Sequence, residues 1–282
     1  MIFVILPAWN EEQAIAPMIR ALASVFPTSG ACHAVLVDDG SSDHTIAAAE
    51  RAVAECGGSL AFTVLRHPVN LGLGAGLRTG IYWCLDHAAD DDVLVTLDAD
   101  NTHPPALIPA LVAKLAQGYD LTIASRYRAG ADVRGVPAYR RALSDLGRLL
   151  FQTLYPIPGV RDYTCCFRAY RIRLLRRARI VYGDALCTAR GFEAVMDLLL
   201  RLEPLGLRVA EIALVLDYDG RIGQSKMKVL RTIRSTLVLI ARRRLERLTR
   251  YTPGRVRAQL TAAETASETG ARAAEAEPRS LS

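Results

Sequence analysis

The chain has 282 residues, 51% of them hydrophobic and 23% charged, with a formal net charge of +6. That is enough apolar sequence for a sizeable core in one large domain or two small ones. None of the six cysteines forms a C-x-x-C pair and no His stands at zinc-site spacing from them, so the composition excludes a zinc module and predicts reduced thiols.

The elements follow in chain order. "IFVIL" (2–6), "AVLVD" (34–38), "AFTVLR" (61–66), "VLVTLD" (93–98) and "LTIAS" (121–125) read as buried strands rich in Val, Ile and Leu. Residues 11–25, 43–56, 72–88 and 105–117 carry helical periodicity between them. This alternation predicts an α/β fold, a parallel or mostly parallel sheet flanked by helices, with ligands at the carboxyl ends of the strands. Past Ala129 the pattern loosens. A helix is predicted over 138–155, an irregular loop over 156–170, a helix over 191–203, a strand over 208–217 and a long basic helix over 226–250. Beyond Thr252 large apolar residues almost vanish, which predicts a loose tail over 253–282.

The opening "MIFVILPAWNEE" lacks the basic start of a leader peptide, and "STLVLIA" (235–241) is far short of the roughly 20 residues that span a bilayer. The reading is a cytoplasmic protein without a membrane span. The positive charge is concentrated: from Arg221 to Arg250 ten Lys and Arg face one acidic residue, Glu246. In the same segment Leu230, Ile233, Leu237, Ile240 or Ala241, Leu245 and Leu248 recur at three- and four-residue spacing. A helix of this kind suits an anionic membrane surface, or packs on the sheet. Nucleic acid is the weakest partner here, because only Tyr251 is near for stacking.

The polar punctuation after the strands carries the chemistry. In "PAWNEE", Trp9 can stack a base or pack on the core, Asn10 can cap a helix, and Glu11 can favour its N-terminus. In "VDDGSSDHT", Asp38 and Asp39 can accept from a base or a ribose, while Ser41, Ser42 or Asp43 can cap the next helix. In "NLGLGAGLRTG", Gly72, Gly74, Gly76 and Gly80 follow the third strand, not the first. They therefore suit a tight loop and a closely packed helix better than a dinucleotide fingerprint. In "TLDADNTHPP", Asp98 and Asp100 point to one side of an extended chain and repel unless a cation sits between them. Mg2+ or Mn2+ is the natural choice; a solvated strand end or a helix cap is the alternative.

Together these pieces say more than each alone. L-P-x-W-N-E, V-D-D-G-S-x-D, N-x-G-L-G and D-A-D-x-x-H-P, in that order, resemble the GT-A glycosyltransferases of family 2. Within them they look most like the dolichol-phosphate mannosyltransferase group of polyprenyl-phosphate sugar transferases. The resemblance continues through "ASRY" (124–127), "RRALSDLGRLL" (140–150), "DYTCCFRAYR" (162–171) and "RIGQSK" (221–226), and covers residues 2–235.

It implies a GT-A catalytic domain over 1–220, a basic amphipathic segment over 221–252 and a tail. It implies inverting transfer of a hexose from a nucleotide sugar of the GDP-mannose or UDP-glucose type to a polyprenyl phosphate. The site would lie at the cytoplasmic face of the membrane. Transfer to a glycan or small acceptor, or a non-catalytic nucleotide-sugar-binding role, are the alternatives. By the same resemblance, Pro7, Trp9, Asn10, Glu11, Asp38, Asp39, Asp98, Ala99 and Asp100 hold the nucleotide sugar. Asp98 and Asp100 hold the divalent metal. Arg126, Arg140, Ser144, Arg221, Ser225 and Lys226 line the donor and acceptor phosphates. Asp98, Asp100, Arg126 and Asp162 form the catalytic set. The sequence departs from the pattern at Trp9 in place of Tyr, at Thr102 in place of Gln or Ser, and at Cys165 and Cys166 in place of small polar residues or Gly.

Overall fold

Strands β1 (Ile2–Ala8), β2 (Cys32–Asp38), β3 (Ala61–Arg66) and β4 (Val93–Thr96) lie side by side and parallel. Val4, Ile5, Leu6, Val35, Leu36, Leu94 and Val95 are fully buried. Continuous apolar runs of this kind need cover on both sheet faces, and helices provide it. These are α1 (Glu12–Val25), α2 (Thr45–Glu55), α3 (Leu73–His87) and α4 (Ile108–Ala116). The computed structural model describes residues 1–217, 229–252, 254–263 and 265.

The remaining elements are β5 (Leu121–Ser125), β6 (Asp132–Arg134), α5 (Ala138–Leu154), β7 (Arg168–Arg171), α6 (Ile172–Tyr182), α7 (Ala194–Leu202), β8 (Val209–Ala213), β9 (Val215–Asp217) and α8 (Val229–Thr249). The main sheet has the order β3-β2-β1-β4-β7-β5-β8, and β6 pairs with β9 in a small second sheet. Every strand of the main sheet is parallel to its neighbours except β7, which is antiparallel to β4 and β5. The start of β7 therefore reaches the same rim as the ends of the others. This is the mostly parallel α/β sheet that the strand–helix alternation predicts.

Two expectations change. Strand β7 begins inside the stretch expected as an irregular loop, 156–170, and it carries two arginines rather than an apolar run. Arg168 is fully buried there, and its guanidinium donates to the carbonyls of Cys165, Val195 and Tyr163. Those three acceptors make the buried charge tolerable. The second change is in the tail, where residues 254–263 are helical. Val256 and Leu260, four residues apart on one helix face, are both buried.

Helix α8 docks by one face. Leu239, Ile240 and Arg243 are buried, Arg243 pairs with Asp197 of α7, and the Tyr155 hydroxyl at the end of α5 donates to the Ile240 carbonyl. Of the apolar positions read from the sequence, Ile240 faces the body. Leu230, Ile233, Leu237, Leu245 and Leu248 are exposed, as is Val238. No helix among the described residues is long and apolar enough to cross a membrane.

Candidate active site

The loops after β1 and β2 are stitched together at the carboxyl rim. Asn10 adopts a left-handed φ of 54°, and its N–H donates to Ser41 Oγ at 2.9 Å. Its amide oxygen accepts the Ser42 N–H at 2.9 Å. Glu11 N–H donates to Thr45 Oγ1, Glu12 N–H to Asp43 Oδ2, and His44 N–H returns to Glu12 Oε2. The start of α1 is thus capped by the loop that starts α2, and the start of α2 by α1. Asn10 and Glu11 both lie on this rim, with part of their bonding capacity spent on the seam. Pro7 lies in β1, and Trp9 beside it is 38% exposed, enough of a ring for a ligand to cover.

The adjacent carboxylates Asp38 and Asp39 have different tasks. Asp39 Oδ1 accepts from Leu71 N–H at 2.9 Å and lies 2.7 Å from His67 Nδ1, while Oδ2 accepts from Gly72 N–H at 2.7 Å. His67 Nε2 in turn meets Thr79 Oγ1 at 2.9 Å. Asp39 therefore organises the glycine-rich turn. Asp38, fully buried, accepts the Ser41 N–H at 3.3 Å through Oδ2 and faces Arg66 Nε at 3.6 Å. A hollow of about 230 Å³ lies alongside, lined by Asp38, Ser41, Asp43, His44 and Arg66 among others. The glycines themselves answer to close packing. A Cβ on Gly74 would stand 2.0 Å from the Ala189 carbonyl oxygen.

Across β1, strand β4 delivers Asp98, Ala99 and Asp100. Asp98 and Asp100 are half-buried and Ala99 is buried. Asp100 Oδ1 accepts from both Thr102 N–H (3.2 Å) and Thr102 Oγ1 (2.6 Å). Asn101 takes a left-handed φ of 67°, which turns the loop back on itself. His103 Nδ1 then accepts the Asp98 N–H at 3.1 Å. Thr102 and His103 are thus bonded within the loop that carries the acidic pair.

The far side of the rim is built on Arg126, which follows β5. Its backbone N–H and Nε donate to Asp162 Oδ2, and Nη2 donates to Asp162 Oδ1 and to Thr164 Oγ1. Nη1 points at Ser144 Oγ of α5, 3.4 Å away. Asp162 is fully buried and also accepts the N–H groups of Thr164 and Cys165. Burial pushes its carboxyl up, but the Arg126 charge and these hydrogen bonds outweigh it and hold it down at about 2. Asp162 thus holds the Arg126 fork from a fully buried position. Arg140 lies one turn before Ser144 on α5, with its Nε toward the Tyr139 hydroxyl. Burial pushes the Cys165 thiol up to about 12 and the Cys166 thiol well above its ordinary value, so both stay protonated.

Strand β7 joins the two sides. Thr96 Oγ1 donates to the Cys166 carbonyl at 2.6 Å, and Ala124 N–H donates to the Phe167 carbonyl at 3.0 Å. The sheet therefore gathers Pro7, Trp9, Asn10, Glu11, Asp38 and Asp39 on one wing, Asp98 to Asp100 at the centre, and Arg126, Asp162 and Ser144 on the other. Arg221, Ser225 and Lys226 lie outside the described residues. His67, Thr79 and Thr164 were missed in the sequence. His67 had one signal, a polar residue immediately after a strand and hence at the rim.

A mostly parallel sheet of this order, with an acidic pair at the centre of its carboxyl rim and the Arg126–Asp162 pair on one wing, is a GT-A-like fold. The family model described as glycosyl transferase family 2 matches residues 3–179. The chain is 32% identical over 225 residues to a polyprenol monophosphomannose synthase of Mycolicibacterium smegmatis, covering 79% of this chain and 80% of that one. It is 30% identical over 226 residues to an undecaprenyl-phosphate mannosyltransferase of Micrococcus luteus, covering 80% and 87%. Among solved structures, glucosyl-3-phosphoglycerate synthase of Mycobacterium tuberculosis, in complex with Mn2+, uridine diphosphate and glucosyl-3-phosphoglycerate, shares the fold. Its TM-score is 0.61 at 23% identity, over 86% of this chain and 79% of that one. The chain belongs to glycosyl transferase family 2 and is a hexosyltransferase.

Proposed function

We propose that the chain transfers a hexose, with inversion, from a nucleotide sugar to a polyprenyl phosphate at the cytoplasmic face of a membrane. The observation that carries this reading is the rim itself, where β7 ties the loop of Asp98 and Asp100 to the Arg126 cluster. A diphosphate leaving group needs charge neutralised on one side, and an anionic acceptor needs arginine on the other. The two relatives named above support the acceptor class, and their names favour mannose over glucose as the sugar.

Among the described residues no three His, Cys, Asp or Glu side chains gather around a possible ion. A magnesium-type ion does not require them. It takes one or two protein carboxylates and completes its shell with substrate phosphates and water. Asp98 and Asp100 fit that pattern: hard oxygens on one loop, with the Asp98 side chain 33% exposed. They would hold Mg2+ or Mn2+, which when bound neutralises charge on the departing diphosphate.

The other residues position and balance charge. Trp9 offers a face to the base, and the Asp39 clamp holds the glycine turn beside it. Arg126 brings its charge to the acceptor phosphate with its geometry set by Asp162. A phosphate monoester, with a second pKa of about 6, is already largely ionised at neutral pH and attacks without a strong base. Asp162 is therefore not asked to take a proton.

Helix α8 supports membrane docking. Its outward face presents Leu230, Leu237, Val238, Leu245 and Leu248 among the exposed Arg231, Arg234, Arg242 and Arg244. Helix α5, whose Ser144 faces Arg126, exposes Tyr139, Leu146 and Leu149 as well. Apolar stripes flanked by arginine suit an anionic lipid surface. The test is a panel of labelled nucleotide sugars incubated with polyprenyl phosphate and Mg2+ or Mn2+. Label passing into the organic phase names the donor; no transfer to any polyprenyl phosphate overturns the proposal.

A further inference from the structure

The loop that carries Asp98 and Asp100 is fastened from below by a buried ring. His103 is 5% exposed and lies in ring contact with Phe167, with centroids 5.4 Å apart. Its Nδ1 accepts the Asp98 N–H at 3.1 Å. An acceptor nitrogen carries no hydrogen, so the ring hydrogen sits on Nε2. Nε2 faces Cys165 Sγ at 4.0 Å, a long contact with a weak acceptor. Cys165 does not drift, because its N–H is held by Asp162 and its carbonyl by Arg168. The ring is thus seated on the β7 entry loop and reaches up to the backbone of the acidic loop.

We propose that His103 is a positioning residue for the divalent cation and the diphosphate, fixing the Asp98 backbone through Nδ1 while Cys165 and Phe167 hold the ring in place. The inference rests on the reading that Asp98 and Asp100 hold the metal. Without the Nδ1 acceptor, the Asp98 N–H loses its partner beneath the loop, and the carboxylate that starts the acidic pair loses its fixed origin. The sequence motif singles out the aspartates, but the spacing of the pair depends on this residue three positions later. Outer partners that orient metal ligands commonly change affinity by about 10- to 100-fold.

The test is Mn2+ affinity measured by electron paramagnetic resonance without any sugar nucleotide, together with circular dichroism. In His103→Asn the side-chain oxygen takes the place of Nδ1, whereas in His103→Gln the polar group falls near Nε2. The expected result is that H103N binds Mn2+ within about twofold of wild type and H103Q at least about tenfold more weakly. Equal affinity of H103Q and wild type overturns the inference. Isotope-labelled histidine in the wild-type protein gives a second readout that needs no variant to fold: the His103 signal should report the Nε2–H tautomer, and an Nδ1–H tautomer overturns the inference as well. Asp100→Ala separates the two levels. If D100A binds Mn2+ like wild type, the metal reading itself fails. If D100A loses Mn2+ while H103Q keeps it, only the role of His103 fails.

Discussion

Arg126 and Asp162 meet fork to fork, with Nε 2.8 Å from Oδ2 and Nη2 2.8 Å from Oδ1. A bidentate pair of this kind fixes direction as well as charge, and lysine cannot reproduce it. The pair links the end of β5 to the loop entering β7, so one ion pair sets the geometry of the wing proposed for the acceptor.

Asp162→Asn should therefore cost stability, because it leaves a guanidinium partly buried beside a neutral amide. Breaking a buried pair from one side costs about 3–5 kcal/mol. The pH dependence has a definite sign. The folded carboxyl is held at about 2, below its ordinary 3.8, so its contribution is complete above the ordinary value. It is lost as pH falls through about 2. Urea unfolding of wild type and D162N should show a constant gap from pH 7 to roughly pH 4. The gap should then narrow toward pH 2. A gap that closes near pH 6 would contradict this pairing.

Asp100→Ala should abolish metal-dependent transfer with the near-ultraviolet circular dichroism unchanged. Thr102→Val should be milder, since it removes the hydroxyl donor and keeps the backbone N–H on Asp100 Oδ1. A loss of about tenfold in kcat/KM, recovered in part at higher Mn2+, is the expected size. Wild-type turnover by D100A would remove the acidic pair from the mechanism.

His67→Leu takes a buried partner from Asp39. The carboxylate keeps the Leu71 and Gly72 N–H groups but loses one hydrogen bond to a charged acceptor, worth about 1.5–3 kcal/mol, so the melting temperature should fall. With the glycine turn bordering the nucleotide as proposed, its loosening should raise donor KM more than it lowers kcat. Unchanged KM would mean that the Asp39 clamp does not report to the donor.

Leu237→Glu combined with Leu245→Glu should leave thermal stability near wild type, since both side chains are exposed, and should end co-sedimentation with anionic vesicles. Leu146→Glu tests α5 in the same assay. Raising salt should weaken wild-type binding by screening the arginines. Equal binding of wild type to neutral and anionic vesicles would argue against the charge component.

The parts of this fold that were legible are those where one physical demand dominates. Strands β1, β2 and β4 are buried on both faces and read as unbroken apolar runs. The glycine run reads as close packing because the Ala189 carbonyl and the Ala194 side chain, pressed against α3, leave no room for a Cβ at Gly74. Strand β7 was hidden because Arg168 satisfies its charge with backbone carbonyls, which periodicity cannot see. The facing of α8 was hidden for a related reason. Ile240 and Leu237 are both apolar, and what accompanies the inward turn of Ile240 is distant in sequence: the Arg243–Asp197 pair, 46 residues apart, and the Tyr155 hydroxyl on the Ile240 carbonyl. The acidic pair was legible as a pattern, but its support from Thr102 and His103 depends on a left-handed turn at Asn101 that composition does not announce.

The reversed direction of β7 has a consequence for how such a protein can diversify. The wing proposed for the donor is made of loops that leave the sheet, each tied at once to the next helix. The loop before β7 arrives at the rim instead, coming from the end of α5 by way of residues 155–167. That stretch is itself built into the core: Tyr155, Ile157, Val160 and Tyr163 are buried, and Glu211 of β8 accepts the N–H groups of Arg161 and Asp162. The wing proposed for the acceptor is thus fixed by the fold rather than hung from it, and a change of acceptor would have to come from side chains on a loop whose course stays constant.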